Sequence, residues 1–305
     1  MADAGKGRSY TPGNFVLDIG GWQVAFLKKF SGLAMQGDVV NNDLGPDNIQ
    51  KKHIANIKWT AGKCSVGAGM GKGMHDWIQK SFDKSYEPQS GSFTAADFDY
   101  KAQARIDFQN ALITSFTCPA LDGSSKDGLY FDLEFQPEIV RWSKGGQEDI
   151  RGKLGPKQKA WLCSNFRFEL GGLPTTHVSK IESFTWKCTA TPDMIGIHRE
   201  PTYHPAKVTV PDLKLQISYK DHQAWADWAN KWFIQGHHLE GDELSGRIVF
   251  LGPDMQKEIG EITLLNCGLK SFSDDDVEAN SEKIKRFVVE LYVEQMRFKL
   301  NEYDA

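Results

Sequence analysis

Apolar and polar residues alternate with a period of two along several stretches of the chain, and each such stretch is an expected β-strand with one face toward a core. The runs Lys63-Cys64-Ser65-Val66 and Leu213-Lys214-Leu215-Gln216-Ile217 show the alternation clearly. Each is followed by a segment whose large apolar residues recur at three- and four-residue steps: Trp77, Ile78 and Phe82 in one case, Trp225, Trp228 and Trp232 in the other. That spacing places them on one stripe of an amphipathic helix, a core stripe by its composition. Beyond each helix the period returns to two. A hairpin is expected with its second arm at 105–110 or 261–266, Gly252-Pro253-Asp254 supplying the turn chemistry in the later one. A closing strand follows at 128–138 or 285–294, rich in aromatic and β-branched residues.

The two series are copies of one another. Phe15-Val16-Leu17-Asp18-Ile19-Gly20-Gly21 recurs as Phe166-Arg167-Phe168-Glu169-Leu170-Gly171-Gly172, 151 residues on, and the same offset joins Lys63 to Lys214, Asp76 to Asp227, Trp77 to Trp228 and Phe82 to Phe233. After the helix the second copy gains about five residues. The offset becomes 156, joining Asn110 to Asn266, Phe116 to Phe272, Phe131 to Phe287, Glu134 to Glu290 and Arg141 to Arg297. The expected fold class is therefore mainly β, with barrel- or sandwich-like antiparallel domains that each carry one principal helix. The expected organisation is an N-terminal arm at 1–14, one domain at 15–142, a linker at 143–165 and a second domain at 166–300. Gly145, Gly146, Gly152, Gly155 and Pro156 give the connecting stretch its linker composition.

In the order of its elements the chain resembles the tail tube proteins of contractile bacteriophages and related contractile injection systems. The places that carry the resemblance are held by Gly20-Gly21, Lys63, Trp77, Asn110-Ala111, Phe116 and the strand reaching Glu134. The second copy offers Gly171-Gly172, Lys214, Trp228, Asn266-Cys267, Phe272 and the strand reaching Glu290. The resemblance implies a ring around a central channel, in which sheets of neighbouring subunits join into one barrel, and stacked rings that form a conduit inside a sheath. It implies a tube, tube-initiator or hub component whose partners are copies of itself together with sheath, baseplate or spike proteins, and it admits nucleic acid only as cargo in the lumen. A tube subunit of the family has one domain. Two domains leave two arrangements open: three chains filling six positions of one layer, or six chains that each span two layers. A linker over 143–159 reaches roughly 50 to 60 Å when extended, at about 3.3 to 3.6 Å per residue, and permits both.

An assembly reading also follows from the strands alone, because small antiparallel domains expose edges that must be blocked, closed or used. Contacts between layers are expected from the polar stretches at 41–52 and 194–206. The first holds Asn41, Asn42, Asp47, Lys51 and Lys52, and the second His198, Arg199 and His204.

Composition narrows the function further. The 36 Lys plus Arg and 40 Asp plus Glu give a net charge of −4, which supplies no broad cationic field for phosphate backbones or anionic lipid. Runs of 18 to 20 apolar residues are lacking, as is an apolar signal core near the start, so the expectation is synthesis in the cytoplasm, no membrane insertion, and a place in a virion tail or injection particle. The 5 cysteines are odd in number and widely spaced, and are expected as buried free thiols.

Candidate chemistry fails on spacing. The stretch from Gly67 to Gly73 has Val66 where a Walker loop needs its first Gly and Gly73 where it needs Ser or Thr, so a flexible strand-to-helix connection is expected. His198, His204, His237 and His238 form no helical metal-ligand pair, and Asp274-Asp275-Asp276 lacks the periodicity of a calcium loop. Neither a nucleophile elbow nor a cysteine-hydrolase context is present. No catalytic, cofactor or metal residue is therefore assigned, and no enzyme activity is expected. The competing reading is a bilobal β-rich enzyme or binding protein with its site between the two copies.

Overall fold

A computed structural model describes residues 13–20, 22–42, 49–146, 148–150, 161–197, 199–275 and 284–301. The first half runs β1 (Asn14–Ile19), β2 (Trp22–Ser31), β3 (Met35–Asn42), β4 (Lys51–Trp59), β5 (Gly62–Gly67), α1 (Lys72–Phe82), β6 (Gln89–Ala96), β7 (Ala102–Cys118), β8 (Leu121–Asp122), β9 (Tyr130–Gln136) and β10 (Ile139–Lys144). The second half runs β11 (Phe166–Leu170), β12 (Val178–Ile181), β13 (Phe184–Asp193), β14 (Thr202–Thr209), β15 (Leu213–Ser218), α2 (His222–Ala229), β16 (Leu244–Leu251), β17 (Glu258–Asp274) and β18 (Arg286–Leu300). The fold is mainly β, every named strand pair is antiparallel, and the two helices pack against the sheets.

Pairing registers recur at the sequence offsets. Lys63 faces Glu134 as Lys214 faces Glu290, and Phe116 faces Leu133 as Phe272 faces Val289. Gln36 faces Lys58 as Lys187 faces Thr209. Two differences have local causes in proline, which cannot donate to a ladder. Pro137 separates β9 from β10, whereas Val293 stands at the same place inside the unbroken β18. Gln23 pairs with Asp18 between β1 and β2, whereas Pro174 stands in its place and β11 has only β16 beside it among the described residues.

Alternation along β18 buries Phe287, Val289, Leu291 and Val293 on one side, and the stripe of α1 buries Met74, Trp77, Ile78 and Phe82. Trp225 and Trp232 are buried and Trp228 is packed against the same core, which extends without a break through both halves. Asn110 and Asn266 both have a left-handed backbone, with φ of 51° and 54°. Their side-chain amides donate to Glu138 and Glu294 at 2.7 Å in each case, so each side chain ties a long strand to the strand returning beside it. In the two Gly-Gly pairs the positive φ falls on Gly20 in the first copy and on Gly172 in the second. Gly21 lies outside the described residues.

Three expectations are corrected. The connection from Gly67 to Gly73 is not a flexible loop, because Ala68 and Met70 are fully buried in it. The polar stretches at 41–52 and 194–206 are not loops throughout: β3 runs through Asn42, β4 starts at Lys51 and β14 starts at Thr202. The connecting stretch begins as structure as well. Ser143 and Lys144 end β10, and Ile150 is buried with Val16, Ala96 and Ala102 in a small second core.

Candidate functional site

The two halves meet strand to strand. Residues Phe184 to Lys187 of β13 pair with Ser115 to Cys118 of β7, so the hairpin of β13 and β14 extends the sheet of the first half. The Thr117 and Thr185 hydroxyls lie 2.9 Å apart across this seam, and the Ser183 hydroxyl donates to the Cys118 carbonyl at 2.9 Å. Beside it β8 pairs with β12, Leu121 opposite Ile181. At the far end of the hairpin the Arg141 guanidinium donates to Glu200 at 2.6 Å, and the Tyr203 backbone N–H donates to Glu138 at 3.0 Å.

Helix α1 lies across the seam against β18. Phe82 stacks on Trp186 with ring centroids 4.8 Å apart and meets Phe116 edge-on at 5.2 Å. Phe298 fills the remaining space, 5.3 Å from Phe116 and 5.6 Å from Phe131. Aromatic rings packed in tilted and edge-on pairs add attraction beyond the area they bury. The buried His75 on α1 accepts the Leu300 backbone N–H through Nε2 at 3.0 Å. Its Nδ1 lies 3.1 Å from Asp76, so the neutral ring carries its proton on Nδ1 and donates it to that carboxylate. Burial holds the imidazole below its ordinary range, against the opposing pull of Asp76.

The first half contributes α1 and β7 to this joint, and the second contributes β13 and β18. Applied to the same positions one repeat along, the offsets give the opposite result. Phe82 becomes Phe233, Trp186 becomes Met35, Phe298 becomes Trp142 and Phe116 becomes Phe272. Phe233 is 49% exposed, Met35 60% and Trp142 55%, and Phe272 is only half-buried. Beyond Cys267, β17 has a partner on one side only among the described residues, whereas the matching part of β7 has β9 on one side and β13 on the other. Among the described residues strand β3 likewise pairs only with β4, in a two-stranded sheet of their own. The chain therefore holds one closed joint in its middle and the two unmatched faces of the same joint at its ends. Exposed apolar residues gathered in this way mark interaction surfaces. Trp77 and Trp228 sit behind these faces as core, and the sequence stripe did not single out Phe233, which lies just off it.

The residues expected to make layer contacts are on the hairpins. Asn41 and Asn42 end β3 and Lys51 and Lys52 open β4, on an exposed two-stranded arm that also presents Val39, Val40 and Ile54 to solvent. Arg199 and His204 are exposed on the second hairpin, with His204 3.9 Å from Asp193. Asp47 and His198 lie outside the described residues. Glu134 takes Lys63 at 2.5 Å, whereas Glu290 takes Lys270 at 2.8 Å, because Lys214 turns to Glu182 at 3.4 Å.

All five cysteines are buried and free. Burial pushes the Cys64 thiol up to about 12, with Asp132 adding to the rise, and does the same for Cys267 with help from Glu243. Such thiols are not nucleophiles at neutral pH. Among the described residues no group of three His, Cys, Asp or Glu side chains converges as a metal site.

By fold this is a mainly antiparallel β protein with two principal helices. It is similar to a chain of the sheath-tube complex of an extracellular contractile injection system, PVC, in the extended state, at 18% identity over 46% of this chain and 94% of that one, with a TM-score of 0.41. It is similar to the tube-terminating cap of the anti-feeding prophage at 19% identity over 48% and 100%, with a TM-score of 0.40. Hcp1 from Flavobacterium johnsoniae is similar at 13% identity over 45% and 99%, with a TM-score of 0.32. No family model matches the chain, and no curated protein matches it.

Proposed function

We propose that this chain is a non-enzymatic structural component of a phage tail or contractile injection system, made of two tail-tube-like domains at 15–142 and 166–300. It assembles into a ring or hollow tube through which DNA or an effector passes, in the role of tube, tube initiator or hub. Sheath, baseplate or spike proteins are its further partners, and the cytoplasm is its site of synthesis. The observation that carries the reading is the set of Phe233, Met35 and Trp142, exposed at positions whose repeat equivalents are all buried in one aromatic joint. A chain that leaves both faces of a joint uncovered is built to associate. The bilobal enzyme reading needs a cleft between the copies, and that space is filled by Phe82, Phe116, Trp186 and Phe298.

Negative-stain electron microscopy of the purified protein over a range of concentrations, with native mass spectrometry, tests the proposal. Rings or hollow filaments are expected. A particle that stays monomeric even with tail or injection-particle partners added overturns it.

A further inference from the structure

The open faces carry enough detail to name what covers them and in what register. We infer that the edge of β17, with Phe233 beyond the end of α2, takes β3 of a second copy of this chain in the register of the internal joint. Both halves of every chain then occupy neighbouring positions of a single layer. The inference rests on the assembly reading above and fixes its geometry.

In the internal joint Lys187 lies opposite Ser115 and Trp186 opposite Phe116. One repeat along, those pairs become Gln36 opposite Ser271 and Met35 opposite Phe272, with the second residue of each pair on the neighbouring chain. The strand needed on each side is already formed. β3 is held by β4 with Gln36 opposite Lys58, and β17 is held by β18 with Ser271 opposite Glu290. Each strand offers its other edge. Phe233 then meets the Met35 thioether and the Trp142 ring of the second copy, where Phe82 meets Trp186 and Phe298 inside the chain. Sulfur-aromatic and aromatic pairs of this kind are favourable.

The direction of the step follows from the type of contact. Strands pair edge to edge within a sheet, so the internal joint displaces the second half sideways across the strands and not along them. A second joint of the same type repeats that sideways step. Contact between the tail face of one chain and the head face of the next is heterologous, and it closes into a ring or winds into a filament. Either way, a layer contains half as many chains as domains. The two kinds of joint are not equal, since His75 and Leu300 have Ala226 and Lys144 as their repeat equivalents, and the buried hydrogen bond between them has no counterpart between chains.

The test uses the full chain carrying both Gln36→Cys and Ser271→Cys. Residues directly opposite in an antiparallel pair have Cα atoms about 4.5 to 5.5 Å apart, within disulfide reach. Oxidation of assembled protein is expected to link chain to chain, giving a ladder of covalent multimers on non-reducing gels, and neither single variant is expected to progress past a dimer. A companion Phe233→Asp variant is expected to keep the circular dichroism and melting temperature of the parent while losing at least tenfold in the fraction assembled. Rings or tubes that form without the chain-to-chain link, or images in which each chain crosses two layers, overturn the inference and leave the assembly reading intact. Particles that never associate, in the parent as in the variants, overturn both.

Discussion

Phe82 on α1 stacks on Trp186 of β13 with their planes 24° apart, and these two rings belong to different halves of the chain. It is a buried contact that neither half makes alone. Truncating a large buried aromatic removes its transfer free energy and leaves a cavity. Phe82→Ala is expected to cost about 3 to 5 kcal/mol in urea unfolding, with the midpoint lowered by fluorescence and circular dichroism together. A loss under about 1 kcal/mol would show that the joint contributes little.

The same substitution one repeat along has the opposite expectation. Phe233 is half-exposed in the single chain, so Phe233→Ala is expected to change unfolding free energy by less than about 1 kcal/mol. The pair of variants, measured at a concentration where the protein is monomeric, separates the closed joint from the open one.

His75 makes the joint sensitive to acid. Its folded pKa is below the ordinary value of 6.5, so the unfolded state binds more protons as pH falls through the window beneath 6.5. The stabilisation is complete above that value and is lost as pH drops toward the folded pKa. Urea midpoints between pH 7.5 and 5 are expected to fall for the parent, and to fall less for His75→Gln, whose side-chain oxygen can still accept the Leu300 N–H without titrating. Equal slopes for the two proteins would exclude His75 as the cause.

Asn110 holds a left-handed backbone and a hydrogen bond to Glu138 at once. An alanine there loses the bond and keeps the strain, at a cost of about 1 to 2 kcal/mol. Glycine loses the bond but accepts the conformation, so Asn110→Gly is expected to be the milder change in thermal melts. The order is expected to repeat at Asn266, whose φ is 54°.

The buried thiols give a check on packing. With Cys64 and Cys267 pushed up to about 12 and every cysteine buried, reaction with a thiol-specific reagent at pH 7.5 is expected only after denaturant is added. A thiol that reacts quickly in the native protein would show that its surroundings open.

Much of the fold is legible in the sequence because burial is periodic where a sheet has one core face. Leu213 to Ile217 alternate in burial as in polarity, and Lys63 to Val66 form a strand as their polarity predicts, although Ser65 is buried along with Cys64 and Val66. The arm of β3 and β4 is not legible in the same way. Val39, Val40 and Ile54 are exposed and interleaved with Asn, Lys and Asp, so no face of that hairpin is apolar enough to announce a strand. The joint is invisible for a different reason. Alternation fixes which side of a strand is buried, but the pairing of β7 with β13 is a property of strand edges, which have no side-chain signature. What the sequence does hold is the offset, and once Phe82 is seen to be buried the offset leads directly to Phe233.

Because β7 and β13 are joined within one polypeptide, that contact does not depend on dilution. Its occupancy is set by the effective concentration that the tether imposes, and only the contact between chains obeys mass action. In the single-layer arrangement inferred above, half of the lateral contacts are complete before two molecules collide, and the concentration threshold for nucleating a layer is expected to reflect a reaction of correspondingly lower order.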